Sequence, residues 1–308
     1  MEEKNRLSVI VPCKDEESCI EQFVKEVSLV CKNIPLEFVF VDDGSSDGTL
    51  REIKKLADGD GRVRYVSFSR NFGKEAALLA GLEHCTGEIA VTMDVDLQHR
   101  PQLLPEMYEA IVKEGYDCAA ARRTDRKGEP AIRSWFARRF YSVMSRFSDV
   151  DLVDGSMDYR MMKRQVVDEI LKLREANRFT KGIYQWVGFK TRWFEADNAE
   201  RVSGTTKWSF AGLAAYSVRG IVAFSTAPLQ LASVLGALFC IPTFGYIVYI
   251  VFKWAFLGEK AAGWPTLMCA VLMLGGLQLL VIGILGTYIA GIYRESKRRP
   301  VYIARECK

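Results

Sequence analysis

Two apolar runs end in carboxylates. Residues 38–41 lead into Asp42 and Asp43, and residues 89–93 lead into Asp94-Val95-Asp96. Asp94 and Asp96 are alternate residues at a strand end, where a slight bend turns both side chains toward one ion. Hard oxygen ligands suit Mg2+ or Mn2+, ions that keep few protein ligands and take phosphate oxygens for the rest. A bare Asp-x-Asp is a weak signal, because exposed aspartates after strands are common. The stretch DDGSSDG at 42–48 also reads as a turn and a helix cap, with Ser46 or Asp47 as the capping residue. A cap needs one acceptor, however, and the stretch carries three aspartates. Acceptors there suit the N–H of a base or the hydroxyls of a ribose.

Those residues need strands that stop in the right place. Strands are predicted at 7–12, 37–42, 63–68, 88–94 and 116–121, with helical patterns at 16–32, 47–57, 73–85 and 101–114. Several of the strands are apolar on both faces, which suits a parallel sheet covered by helices. The alternation predicts a doubly wound α/β domain, whose ligands bind outside the carboxyl ends of the strands. Both carboxylate clusters lie at such ends. Beyond Arg122 the pattern is less regular: a basic loop that becomes an amphipathic helix, a strand at 156–162, a helix at 163–173, another strand at 187–196, and a polar loop.

Residues 206–225 have modest hydrophobicity and include Lys207 and Arg219, as expected of helices lying at a membrane surface. Residues 228–252 and 263–293 then contain no charged side chain, and each run exceeds the roughly 20 residues that cross a bilayer as a helix. The short link makes them a hairpin. Arg294, Lys297, Arg298, Arg299, Arg305 and Lys308 follow the second run, against Lys253 and Lys260 in the link. This bias predicts that both ends of the hairpin, and the α/β domain, face the cytoplasm. The expected division is an α/β domain over 1–205, interfacial helices over 206–226, spans over 227–253 and 264–293, and a basic cytoplasmic tail over 294–308.

Composition narrows the function. With 42 basic and 38 acidic side chains the net charge is +4, too mild to indicate nucleic-acid binding. The acidic N-terminus enters a strand directly, so no signal peptide is expected. The eight cysteines show no CxxC spacing and read as reduced thiols, and two histidines exclude a His-rich metal site. The first strand is not followed by a nicotinamide-type glycine fingerprint, and no GxxxxGK[ST] phosphate loop occurs. His99 beside the Asp-x-Asp reads either as a metal ligand or as a hydrogen-bonding surface residue. Residues 69–74 precede a helix N-terminus that either attracts an anion or is capped in the ordinary way.

In order along the chain, VPCKDEE, VDDGSSDGT, SRNFGKEAALLAGL, MDVDLQH, SMDYRMM and RVSGTTKW, ahead of two apolar spans, resemble family 2 glycosyltransferases of the GT-A fold. Within that family the likeness is to polyprenyl-phosphate glycosyltransferases, namely dolichol-phosphate mannose synthases and bacterial undecaprenyl-phosphate glucosyltransferases. The paired spans favour the bacterial branch. The resemblance implies a GT-A, Rossmann-like, mostly parallel sheet on a two-helix membrane hairpin. It implies a nucleotide-sugar donor, a polyprenyl phosphate acceptor and inversion at the anomeric carbon, with Mg2+ or Mn2+ as cofactor. By the same likeness Pro12, Glu16, Asp42 and Asp43 would surround the base and ribose, and Asp94, Asp96 and Gln98 the metal and diphosphate. Asp158 matches an acidic residue near the reacting centre. Arg123, Arg133, Arg201 and Lys207 match basic positions that hold phosphates. Lys14 and Asp15 stand where the family has an aromatic residue and Asn, Met157 replaces a small residue, and Thr206 stands for Ser. Self-association, as a tetramer, is implied by analogy.

These roles agree with elementary chemistry. A divalent ion on Asp94 and Asp96 would stabilise a departing diphosphate, and the sugar carbon should develop oxocarbenium character. The acceptor phosphate is already ionised near neutral pH, so Asp158 is expected to orient the acceptor or stabilise positive charge more than to act as a strong base. An alternative pairs Asp158 with Arg160 as a structural ion pair. Guanidinium groups such as Arg122, Arg123, Arg126 and Arg133 would offset repulsion between donor and acceptor anions, or form a basic face toward anionic lipid. The leading expectation is glucose transfer from UDP-glucose to undecaprenyl phosphate at the inner membrane. UDP-N-acetylglucosamine or GDP-mannose are the rival donors, and a non-catalytic scaffold for lipid-linked sugars is the rival class.

Overall fold

The computed structural model describes residues 5–123, 153, 155–196, 222–257 and 263–308. Four parallel strands form the centre of the sheet: β1 (Leu7–Cys13), β2 (Leu36–Asp42), β3 (Val63–Phe68) and β4 (Ile89–Thr92). The helices between them are α1 (Ile20–Val30), α2 (Thr49–Gly59) and α3 (Lys74–His84). α1 buries Ile20, Phe23, Val24 and Val27, a spacing that sets one helical stripe against the sheet. All seven residues of β2 are buried, because the strand is central and covered on both faces.

After β4 a 3-10 turn (Pro101–Leu103) leads into α4 (Leu104–Val112), and the chain adds β5 (Cys118–Arg123) and β6 (Ser156–Lys163). Helices α5 (Arg164–Lys172) and α6 (Thr180–Trp186) precede β7 (Thr191–Ala196). The order across the sheet is β7-β5-β6-β4-β1-β2-β3-β8. β6 runs antiparallel to both of its neighbours, and β8 (Ala304–Cys307) runs antiparallel to β3. From β1 the chain winds outward to β2 and β3, then returns to place β4 on the other side of β1. The carboxyl ends of β1 and β4 therefore flank the switch point where a ligand crevice opens.

The sheet carries one buried carboxylate at the amino end of β2. Glu37 accepts from Ser8 Oγ at 2.5 Å, Thr86 N at 2.9 Å and Arg64 at 3.0 Å. Burial opposes its charge, but those donors hold its pKa below the ordinary range. Cys13, Cys19, Cys31, Cys85, Cys118 and Cys307 are free thiols.

Helices α7 (Ala227–Leu257) and α8 (Trp264–Ser296) are long and apolar enough to cross a membrane. They do not form the buried pair of a soluble core: Ile241, Phe244, Leu272 and Leu279 are each about 70% exposed. Pro242 lies inside α7 without ending it. Both ends of the hairpin are fastened to the α/β domain. Phe224, just before α7, sits 6.0 Å from the Phe179 ring, and Ser225 O accepts from Tyr288 Oη at 2.7 Å. At the far end, Glu295 accepts from Ala176 N at 2.8 Å.

The segment 294–308 is not a separate tail. Residues 294–296 complete α8, and the chain then returns to the sheet, where Val66 pairs with Cys307 and Phe68 with Ala304. Edge strands attract a partner, and here the chain's own end covers β3. Tyr302 stacks on Phe68 with centroids 4.8 Å apart and donates to Glu83 at 2.5 Å. Lys54 and Lys308 pair with Glu306 and Asp58. Of the expected interfacial helices at 206–226, residues 206–221 lie outside the described residues, as does the boundary at 205/206.

A chain ending after Val301 loses β8 and Tyr302. Its unfolding midpoint in neutral detergent is expected to fall by roughly 5 °C or more, the effect of losing about 2 kcal/mol in a domain of this size. An unchanged midpoint would mean that β8 is not part of the folded sheet.

Candidate active site

The register that pairs Thr92 of β4 with Arg160 of β6 sets Asp94 opposite Asp158 just beyond the end of the ladder. Like charges directly opposite across antiparallel strands repel. The first residue of α3 resolves the conflict. Lys74 Nζ lies 2.7 Å from Asp94 Oδ1, 3.0 Å from Asp94 Oδ2 and 2.9 Å from Asp158 Oδ2. One ammonium thus bridges two carboxylates that come from neighbouring strands.

The electrostatics follow from that geometry. Burial works against the charge on Lys74, but Asp158 and Asp94 outweigh it and raise its pKa. Burial also opposes ionisation of Asp158, yet Lys74 and then Lys181 hold it well below the usual carboxylate range. Asp94 is lowered too, where burial is outweighed by Lys74 and His99. All three groups are therefore ionised at neutral pH. Asp158 does not pair with Arg160, whose guanidinium lies between the rings of Tyr184 and Trp193, at 4.9 and 5.3 Å.

The loop after β4 is braced from inside. His99 is buried rather than at the surface, stacks on Tyr159 at 5.1 Å, and accepts the Asp94 backbone N–H at Nδ1, 3.1 Å away. That bond leaves the ring proton on Nε2, 3.8 Å from the Asp94 carboxylate. Burial lowers the histidine pKa against the pull of Asp94, so the ring is a neutral brace. Leu97 takes φ +57°, a left-handed conformation that costs a non-glycine residue about 1 kcal/mol or more. The bend turns Gln98 N back onto Asp96 Oδ1 at 3.1 Å.

The carboxylates ending β2 have internal partners. Asp42 is buried and accepts from Ser67 Oγ at 2.8 Å and Ser45 N at 3.0 Å. Asp43 accepts from Phe72 N at 2.6 Å and from Gly73 N at 2.9 Å. Asp43 thereby holds the two amides that lead into α3, whose own first turn has no side-chain cap. Burial keeps the Asp43 carboxyl above its ordinary pKa despite those amides. Asp47, not Ser46, bonds the first turn of α2, accepting Thr49 N at 3.0 Å. Gly44, at φ +65°, lets the loop pass so close to Arg70 that a Cβ would sit 2.6 Å from its carbonyl carbon.

Pro12 lies in β1 and Glu16 follows it, both half-buried, on the side of the crevice facing the 42–48 loop. Glu16 N donates to Thr49 Oγ1 and Asp15 Oδ1 accepts Ser46 N, so the loops after β1 and β2 move as one. Arg123 ends β5, half-buried. Arg133, Arg201 and Lys207 lie outside the described residues, as do Arg126 and Gly204. The structure therefore brings together Pro12, Glu16, Asp42, Asp43, Asp94, Asp96, Gln98 and Asp158 on one rim of the sheet.

Lys74 and Lys181 were not among the residues singled out from the sequence. A signal existed for Lys74: a lysine at the first position of a helix opposes the dipole, so it needs a nearby anion. The oxygen-only set of Asp94 and Asp96 fits a hard divalent ion. Among the described residues no three His, Cys, Asp or Glu side chains converge into a closed metal cage, so ligand oxygens would have to complete the shell. The ammonium already seated against Asp94 marks the place as one that stabilises positive charge.

Residues 8–171 match the family described as glycosyl transferase family 2. CsbB of Bacillus subtilis, a glycosyltransferase by name, is 43% identical over 302 residues, which is 97% of this chain and 91% of that protein. A prophage bactoprenol glucosyl transferase homolog of Escherichia coli is 38% identical over 305 residues, 98% of this chain and 99% of that protein. Among solved structures, the glucosyl-3-phosphoglycerate synthase of Mycobacterium tuberculosis superposes with a TM-score of 0.48 at 19% identity, over 71% of this chain and 78% of that one.

Lys74→Met leaves Asp94 and Asp158 facing each other without a counter-ion. With these side chains 22–38% exposed, the cost at pH 7 is about 1 kcal/mol after solvent screening. The depressed carboxylate pKa values stabilise the native protein above the ordinary range and lose that effect as pH falls through them. In the variant the two carboxyls repel, so its deficit in unfolding midpoint should be largest near neutral pH and shrink below about pH 4 as one protonates. A deficit independent of pH would contradict the bridging role.

Proposed function

The chain belongs to glycosyl transferase family 2, and from that premise we propose that it transfers glucose from UDP-glucose to undecaprenyl phosphate, with inversion, at the cytoplasmic face of the membrane. One observation carries the reading: Asp94 and Asp158 meet on Lys74 at the switch-point rim of a domain fastened to both ends of an exposed apolar hairpin. The name of the Escherichia coli relative, which gives bactoprenol as the acceptor and glucose as the sugar, supports the choice of substrates, because the alignment spans nearly the whole of both chains.

In this reading Pro12, Glu16 and Asp43 frame the nucleoside side of the crevice, and buried Asp42 fixes the turn that shapes it. Asp94 and Asp96, with Gln98 beside them, would hold Mg2+ or Mn2+, which when bound would act as a Lewis acid on the departing diphosphate. Lys74, which holds Asp94 and Asp158 together, would also face a phosphate oxygen of the bound donor. Asp158, with its pKa held low, is a poor proton acceptor. Its place is electrostatic: it stabilises positive charge developing on the sugar carbon, while the acceptor phosphate attacks without needing to be deprotonated. Arg123, Arg133, Arg201 and Lys207 bind phosphate oxygens and offset the repulsion between two anionic substrates.

The hairpin sets the height of the crevice. Since α7 begins and α8 ends on the same domain, two crossings return the chain to one side of the bilayer. The basic residues after α8 support a cytoplasmic location for that side.

The test is a panel of labelled UDP-glucose, UDP-N-acetylglucosamine and GDP-mannose with polyprenyl phosphate, with Mg2+ or Mn2+ and with chelator. Glucosyl lipid is expected from UDP-glucose, lost with chelator and restored by the ion. Asp96→Ala should reduce turnover roughly 10²- to 10³-fold while the unfolding midpoint stays near wild type. Product from another donor would change the sugar. No lipid product from any donor would favour a non-catalytic scaffold, and full activity in chelator would remove the metal from the account.

A further inference from the structure

We propose that the cavity beneath the last turn of α8 binds the phosphate headgroup of an anionic phospholipid, at a site separate from the active site. The cavity, of about 630 Å³, is lined by Leu79 and Glu83 of α3, Arg174 after α5, and Arg294, Arg298 and Arg299 at the end of the membrane hairpin. Four guanidinium groups therefore meet two carboxylates, Glu83 and Glu295. Both carboxylates are already engaged. Glu83 accepts from Tyr302 Oη at 2.5 Å and lies 4.0 Å from Arg174, and Glu295 accepts from Ala176 N and Asn177 N at 2.8 and 3.3 Å. Among the described residues Arg298 and Arg299 form no ion pair, and both are exposed. The lining is left with a surplus of positive charge in fork-shaped donors that suit phosphate oxygens.

The position selects a lipid over a soluble anion. Arg294 directly follows the apolar run that ends at Tyr293, so the arginines stand at the depth of the headgroups when α8 spans a bilayer. Ile289 and Ile292, 63% and 68% exposed, continue from the cavity down the helix as a surface for an acyl chain. Basic pockets in this setting hold anionic headgroups. The lipid here is not the reacting one: Glu83 is nine residues along α3 from Lys74, about 14 Å at the helical rise. By binding there it would pin the α8 terminus, the returning strand β8 and helix α3 at one height above the membrane.

The inference rests on the membrane reading of α7 and α8 but not on the identity of the sugar or acceptor. Its binding measurement uses neither substrate. Full-length protein in neutral detergent is titrated with phosphatidylglycerol, with phosphatidylcholine, or with inorganic phosphate, and the unfolding midpoint is followed. Phosphatidylglycerol alone should raise it. In Arg298→Gln/Arg299→Gln the lipid concentration for half the effect should rise roughly thirtyfold, as expected for losing two charges near an anionic headgroup. Arg298→Lys/Arg299→Lys should recover part of that loss. Equal shifts with phosphatidylcholine, a full shift with inorganic phosphate, or an unaltered response in the glutamine variant would each overturn the proposal. So would a loss of glucosyl transfer to detergent-soluble polyprenyl phosphate in that variant, since it would assign these arginines to the acceptor.

Discussion

Two negative charges held face to face at the end of a sheet are the constraint around which this rim is built. The β4–β6 register places Asp94 against Asp158. Lys74 relieves the repulsion from the first turn of α3. Its position depends on Gly73, at φ +98°, and on Asp43, which takes the amides preceding it. The carboxylate that ends β2 thus fixes the helix that carries the lysine, and the lysine fixes the carboxylates after β4 and in β6. Asp42 and Ser67 tie the same network to β3. A site of this kind is prepared for cations because its anions are already gathered and ionised before any ligand arrives.

The apolar hairpin is tied to this network at both ends. Its entry packs on α6, whose Thr180 N donates to Glu75 at the start of α3. Its exit returns as β8 along β3. Helix α3 therefore carries Lys74 of the rim at one end and Glu83 of the arginine-lined cavity at the other. Gly182 allows the entry contact, since a Cβ there would meet the Phe224 ring at 2.5 Å.

Much of the fold was legible in the sequence because the central strands are apolar on both faces and stop at carboxylates. β3 matches its predicted bounds, and β1 and β2 match theirs within one residue. β4 ended earlier than its apolar run, at Thr92, because the next residues turn away to carry Asp94 into the crevice. The short helix α6 and the strand β8 were not anticipated. β8 is four residues of mixed polarity whose only recommendation is an open edge on β3, a fact of tertiary structure. The same limit applied to the site. Asp94 and Asp96 could be picked by residue type and Asp158 by the family resemblance, but the meeting of Asp94 and Asp158 on Lys74 depends on an antiparallel register that the sequence does not display. Asp42 and Asp43 looked like free acceptors from composition. In three dimensions each is first a structural partner, and His99, read either as a metal ligand or as a surface residue, is a buried brace.

The most direct measurement is a structure of the full chain with UDP and Mn2+ bound. The expected result has the ion at coordination distance, about 2.0–2.2 Å, from oxygens of Asp94 or Asp96 and of the diphosphate. Lys74 would also face a phosphate oxygen, with the Asp158 carboxylate facing the place of the sugar. UDP seated away from this rim and from Lys74 would contradict the account.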